Sequence, residues 1–389
     1  MSSLPKKTIL MLVYGASFFY SFHYALPLYI ESSFISQHLS TEKMIGIIFA
    51  IAAGFTITAT FLFPRLLKRF GNYYLTLTTT GIEVVVLIAL AAVSTPFIVI
   101  PLFIAHQILV NIIFLNLDGF VEASSENSST GSTRGIFMTV LNIAIAAAPL
   151  LAGLMLTDHD FWKIYLSSAL FMAICFLVIA KNFKGYKDPP YLVPKFKETI
   201  RTVLKSHDIH ASIFLHFLLA FFYSWMVIYT PIYLNTHMGI PMNKILGVII
   251  PIALLPFIFL EVILGKIADT KLGEKEILTA GFIIMAVATM GLSTITTASI
   301  AVWAGALFIT RIGASAVEAM TESYFYKKVG PEDVNIITFM RIVRGSAYIV
   351  GPLLGSLILS YFEFRFLFLT LGIIMLLALP YALTIRDTK

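Results

Sequence analysis

Two stretches decide how this chain folds: QILVNIIFLNLDGFVE at 107–122 and RIGASAVEAMTESYFY at 311–326. The second lies 204 residues after the first. In it, Arg311, Ser315, Glu318 and Glu322 stand at i, i+4, i+7 and i+11, which is one narrow stripe of an α-helix. The first carries Gln107, Asn111, Phe114 and Asp118 at the same places. Both stripes lie in strongly apolar surroundings. Polar stripes on apolar helices, repeated in two halves of one chain, predict a polar interior within a membrane bundle.

Composition agrees. Of the 389 residues 58% are hydrophobic and only 12% charged, with 33 Phe. A soluble domain carries roughly 25% charged residues, so this chain cannot clothe itself in charge. It reads as a polytopic membrane protein. The single cysteine, Cys175, excludes an internal disulfide and any cysteine-based metal cluster. No cofactor or metal is expected. The first apolar run, Thr8 to Ile30, is too long for a signal h-region and lacks a small-x-small cleavage site, so it reads as a first span.

Twelve apolar segments are long enough to span: 8–34, 44–64, 74–94, 97–121, 135–157, 162–182, 209–235, 243–265, 276–296, 299–325, 335–360 and 364–385. The longest polar interval runs from Asn182 to His207 and is rich in Lys and Pro. It divides the chain into an N-terminal six-helix bundle (1–182), a cytoplasmic linker (183–207) and a C-terminal six-helix bundle (208–389). A short amphipathic helix near Lys197–Leu204 suits the membrane surface. With both termini inside, the cytoplasmic segments hold twenty of the 27 Lys and Arg, and the outside loops hold four. That bias places the termini in the cytoplasm and the protein in the cytoplasmic membrane. It also accounts for the net charge of +6 without nucleic acid.

The halves repeat. Phe18-Phe19-Tyr20-Ser21 matches Phe221-Phe222-Tyr223-Ser224, Pro27 matches Pro231, and Gly71 matches Gly273. The run 148–153, Ala-Pro-Leu-Leu-Ala-Gly, matches Gly-Pro-Leu-Leu-Gly-Ser at 351–356. One register over several landmarks marks a duplication. Each copy has six spans, so both insert the same way up.

The loop Gly265-Lys-Ile-Ala-Asp269-Thr-Lys-Leu-Gly273-Glu-Lys275 resembles the Gly-x-x-x-Asp-Arg-x-Gly-Arg-Lys signature of the major facilitator superfamily, with one extra residue before the second Gly. The loop after span 2 departs from it, with Pro64 in place of Gly and Lys68 in place of Asp. The Pro149 and Pro352 elements, and the acidic end of span 4 (Asp118, Glu122) followed by Arg134, are similar to the family as well. The resemblance covers essentially the whole chain. It implies an all-α integral membrane fold of 12 transmembrane helices in two pseudo-symmetric six-helix bundles, working as a monomer. It also implies that spans 1, 4, 7 and 10 line a central cavity.

Substrate-binding candidates are then Tyr20, His23 and Tyr24 on span 1, and Gln107 and Asn111, with His106 beside them, on span 4. Span 7 offers Tyr223, Trp225 and Tyr229, and span 10 offers Arg311 and Ser315. An isolated Arg at mid-membrane costs at least ~2.5 kcal/mol, so Arg311 either binds an anionic or polar solute or pairs with Glu318. Glu318 is the proton-coupling candidate, because a carboxylate in a partly dry site can exchange its charge for a proton. Its other reading is a structural pair with Arg341 or Arg344. Asp118, Glu122, Arg134, Asp269, Glu322, Arg341 and Arg344 suit a cytoplasmic gate of charge pairs. Glu83 falls in the middle of span 3, which the resemblance places at the periphery; it has no assigned role, and both a structural and a proton-related reading stay open. His23, His106 and His216 are each a lone histidine on an apolar helix, read as packed or hydrogen-bonded, with a titrating or substrate role as the alternative.

No Walker-type loop, no His-Glu-x-x-His and no Gly-x-Ser-x-Gly is present, so neither ATP hydrolysis nor a familiar enzyme site is expected. The expected function is secondary active transport of a small organic solute or drug by alternating access, coupled to protons. An uncoupled facilitator and a non-transporting sensor or scaffold on the same fold are the alternatives.

Overall fold

The computed structural model describes residues 6–124, 130–157, 160–188, 196–329 and 334–386. The side chains of 6, 130–132, 134, 135, 196, 197, 261, 262, 269 and 334 lie outside that description. Among the described residues every regular element is helical. The first half contains α1 (Lys6–Ala25), α2 (Glu31–Ser36), α3 (Lys43–Phe70), α4 (Asn72–Ala92), α5 (Pro96–Ser124), α6 (Thr130–Met155) and α7 (Trp162–Asn182). The short α8 (Phe196–Lys205) precedes α9 (His207–Ile232), α10 (Met242–Lys244), α11 (Ile250–Thr270) and α12 (Glu274–Leu292). The chain continues through α13 (Ile300–Lys328), α14 (Val334–Leu359), α15 (Phe366–Leu376) and α16 (Leu379–Thr384). Two π-helical turns, Tyr233–His237 and Ile245–Ile249, extend α9 and lead into α11.

Among the described residues, eleven helical segments are long and apolar enough to cross a membrane; α1 is the remaining long helix of the first half. The expected first span at 8–34 is broken. The chain leaves α1 at Ala25 and restarts at Glu31. Pro27 lies in this gap, and a proline lacks the N–H that a continuous helix requires.

Lipid rather than water sets the surface. Phe97, Leu154 and Val85 are among the most exposed side chains. Backbone polar groups are closed within helices, and many threonine hydroxyls are closed onto their own helix. Thr76 donates to the carbonyl of Asn72, Thr80 to that of Thr76, and Thr289 to that of Met285. A hydroxyl that bonds four residues back needs no outside partner in hydrocarbon.

The chain divides into two compact units: Met1–Leu39 with Ile51–Val193, and Ser40–Ala50 with Pro194–Lys389. In the first, α1 packs on α5, α6 and α7, and α4 packs on α5 and α7. In the second, α9 packs on α13, α14 and α15, and α12 packs on α13 and α15. These are the same pairings under the sequence repeat. The matching glycines also do the same work. Gly71 (φ 74°) caps the start of α4 and Gly273 (φ 107°) that of α12. Both sit in the left-handed region where a side chain strains the backbone. At Gly71 the turn is pinned by Asp188, whose Oδ1 accepts the Asn72 backbone N–H at 2.9 Å. Burial, with Asp188 beside it, pushes the neighbouring Tyr186 phenol up to about 12.

Close helix approach rests on small residues. A Cβ on Gly313 of α13 would stand 2.5 Å from the Met285 backbone nitrogen and 2.6 Å from the Gly281 carbonyl oxygen, both on α12. Gly305 on the same helix faces open space. Gly313→Ala should therefore destabilise the protein by about 1–3 kcal/mol, while Gly305→Ala leaves it unchanged, as read by detergent-unfolding titrations. Asp188→Ala should lose about 1 kcal/mol by removing a capping acceptor in the same titration.

Candidate functional site

Each unit holds a network of ionisable side chains inside apolar helices. In the second unit it crosses α9, α13 and α14. Tyr223 on α9 donates its hydroxyl to Glu318 Oε2 on α13 at 2.5 Å. Arg344 on α14 approaches Glu318 at 3.9 Å and bonds Glu322 at 3.2 Å. His216 on α9 stands 3.7 Å from the same Glu322 oxygen. Glu318 and Glu322 lie four residues apart, one turn of α13, so a single guanidinium reaches both. One cation between two carboxylates can favour either, and a change of charge on one carboxylate moves it toward the other. Arg311, two turns from Glu318, is buried with its guanidinium over the Phe222 ring at 5.1 Å. That contact offsets part of the cost of its burial.

The structure thus brings Tyr223, Glu318, Glu322 and Arg344 together, and adds His216. Other expected site residues are used in packing contacts. Ser315 donates to the carbonyl of Ile312 in its own helix. Tyr229 donates to the Pro352 carbonyl at 2.8 Å, and Trp225 is fully buried between Phe221 and Tyr229. Tyr20 donates to the carbonyl of Val110. Asn111 donates to Thr60 Oγ1. Tyr24 and Arg341 are half-buried, Asp118 is buried and Glu122 is exposed. The side chains of Arg134 and Asp269 fall outside the described residues. Lys327 pairs with Glu274 at 2.6 Å and Lys328 with Asp208 at 2.8 Å.

The first unit holds the network that the sequence reading missed. Glu83 is not peripheral. It is completely buried on α4, and its Oε1 meets His23 Nε2 at 2.7 Å and His106 Nδ1 at 2.5 Å. The other face of His106 turns to Glu31 Oε1 at 3.3 Å. Gln107 donates to the second oxygen of Glu31 at 2.7 Å. Glu31 falls inside the expected first span at 8–34, where a straight helix gives it no partner. The signal available was the rarity of ionisable groups on apolar helices: His23, Glu83 and His106 were three such residues, each weighed alone.

His23, Glu83 and His106 offer one donor atom each, all within 4.8 Å of one another. Donors sharing a tetrahedral metal ion stand about 3.3 Å apart, and those facing Glu83 here are closer. The spacing is that of hydrogen bonds.

The whole chain matches known transporters in fold. A crystal structure of an auto-inhibited POT family peptide transporter superposes with a TM-score of 0.78 at 13% identity, covering 98% of this chain and 98% of that one. A bacterial homologue of the human lysosomal transporter Spinster, inward-facing and occupied, gives 0.76 at 10% identity, covering 98% and 97%. The nucleoside transporter NupG gives 0.75 at 12% identity, covering 97% and 100%. Among curated proteins none is a significant match. The model of the Major Facilitator Superfamily matches residues 10–348. With that match over most of its length, and with the fold and repeat already described, the chain belongs to the major facilitator superfamily of membrane transporters.

Proposed function

We propose that this protein is a secondary active transporter that moves a small polar organic solute by alternating access, coupled to protons at Glu318. The observation that carries the reading is the contact set of Glu318: a carboxylate within an apolar helix that holds a tyrosine hydroxyl and shares Arg344 with Glu322. Ionised, Glu318 competes for the guanidinium. Protonated, it has no charge to hold it, and Arg344 falls to Glu322. A proton on one side chain therefore moves a cation on a neighbouring helix, which is the element a coupled carrier needs.

Arg311 supplies a fixed positive charge two turns away on α13 and suits a solute with an anionic or strongly polar group. Glu322, Arg341 and Arg344, with Asp118, Glu122, Arg134 and Asp269, are assigned to the cytoplasmic gate. The assignment rests on the excess of Lys and Arg in the segments placed inside, which also sets both termini in the cytoplasm. Peptides and nucleosides, named for two of the structural neighbours, are polar organic solutes and form the first panel to test.

In proteoliposomes, Glu318→Gln should abolish accumulation driven by a pH gradient while leaving solute binding and counterflow in place. Uptake in that variant that still follows the pH gradient would overturn the assignment. Pure counterflow in the wild type, indifferent to pH, identifies an uncoupled facilitator instead. Thermal stabilisation by a solute that shows no flux identifies a sensor. Arg311→Ala should weaken the stabilisation produced by the cognate solute at least ~10-fold in concentration, the loss of a charge-assisted contact.

A further inference from the structure

We infer that the network of His23, Glu83, His106 and Glu31 in the first unit is a second proton-binding site, independent of Glu318, which holds its shape only while it carries more protons than neutral imidazoles would bring. The inference goes beyond the transport reading and does not need it.

The argument is a count of donors. A neutral imidazole has one N–H and one lone pair. His106 presents both ring nitrogens to carboxylate oxygens, Nδ1 to Glu83 and Nε2 to Glu31. A carboxylate offers only acceptors. Both contacts therefore exist together only if His106 is an imidazolium or if one of the two carboxylates is itself protonated and donates. Either way the group holds one proton more than a neutral imidazole between two carboxylates. His23 repeats the pattern. Its Nε2 faces Glu83 Oε1, and its Nδ1 faces the backbone carbonyl oxygen of Tyr20 at 3.2 Å. With both imidazoles fully protonated and both carboxylates ionised, four N–H groups meet three acceptor oxygens, Glu83 Oε1 taking two of them, and the net charge is zero.

Neutrality matters because the site is dry. The side chains of His23, Glu83 and His106 are wholly buried and that of Glu31 is 6% exposed. Neither carboxylate meets a Lys or Arg among the described residues, so the histidines are the only counter-charge. The remaining titratable groups facing the network are Tyr20 from α1 and Tyr165 from α7, with Tyr24 and Cys175 beside Tyr20; all are neutral when protonated. Release of one proton from His106 to water leaves a net charge of −1. It also sets a nitrogen lone pair against a carboxylate oxygen, Glu83 Oε1 if Nδ1 gives up its proton or Glu31 Oε1 if Nε2 does. That arrangement is repulsive, so the contact opens. The elements joined there are α1, α2, α4 and α5, and α2 with Gln107 forms the less buried end. Glu83 Oε2 is a buried oxygen with no hydrogen-bond partner. A further proton can settle on it without displacing any of the four contacts.

The test is nitrogen-15 NMR of the full-length protein in detergent, labelled at histidine, with His23 and His106 assigned by loss of signal in His23→Asn and His106→Asn. In the wild type near neutral pH, His106 is expected to show two protonated ring nitrogens. Raising the pH should convert it to one, together with a change in the His23 signal. Glu83→Gln should bring His106 to the single-proton form at neutral pH, and Glu318→Gln should leave the His106 signal as it is. A neutral His106 in the wild type at neutral pH, with Glu31 and Glu83 both ionised by their side-chain carbon-13 shifts, overturns the inference even if Glu83→Gln does not fold. Stoichiometric Zn²⁺ that survives dialysis and disappears in His106→Asn also overturns it, in favour of a metal site. Because the readout is a protonation state and not a flux, it stands or falls apart from the assignment of Glu318.

Discussion

A charge that lies in hydrocarbon has to be balanced by the protein that carries it, because no water is there to do so. That constraint shapes both units. In the first, Glu83 receives two imidazoles on one oxygen, and Glu31 takes the far side of one of them. In the second, Arg344 stands between Glu318 and Glu322, with Tyr223 and His216 at the ends. Each network ties together helices that are distant in sequence, so each is also a structural clasp. In the first network, removing one partner leaves a buried charge without its counterpart, which costs far more than the pair contributes when whole; in the second, where Glu318, Glu322 and Arg344 are 29–37% exposed, solvent screens part of the loss.

The two units share a scaffold and differ in its use. Their matching helices pack in the same pairs, and the matching glycines Gly71 and Gly273 start equivalent helices in the same left-handed conformation. The duplicated frame did not keep duplicated chemistry. The charges of the first unit are carboxylates set against histidines, and those of the second are carboxylates set against an arginine. A histidine can lose its charge near neutral pH and an arginine cannot. In the second unit Arg344 cannot exchange a proton, which leaves the carboxylates and His216 beside Glu322, while in the first the exchange can fall on either histidine.

Much of the fold was legible because hydrocarbon imposes simple rules. Runs of about twenty apolar residues become spans, and the Pro149 and Pro352 elements fall inside α6 and α14 as the repeat requires. Expectation failed where a short break redirects the chain. The gap at Pro27 turns an apparently continuous first span into α1 and α2, and it delivers Glu31 to His106. The candidate sites were legible along a single helix and obscure across helices. The stripe of Arg311, Ser315, Glu318 and Glu322 could be read from its spacing, yet Ser315 bonds within its own helix and the partners of Glu318 come from α9 and α14.

The sequence by itself determined that the chain is a duplicated, all-helical membrane protein, because length, hydropathy and repeat act locally and add along the chain. It also marked nearly every residue that matters, since an ionisable side chain on an apolar helix stands out wherever it sits. Only the tertiary structure decided which of these residues meet. His23, Glu83 and His106 lie on three helices, 60 and 23 residues apart. Their meeting depends on how α1, α4 and α5 rotate about their own axes, and that rotation is set by packing of the whole unit. A turn of roughly 100° per residue separates a carboxylate in lipid from one held between two histidines.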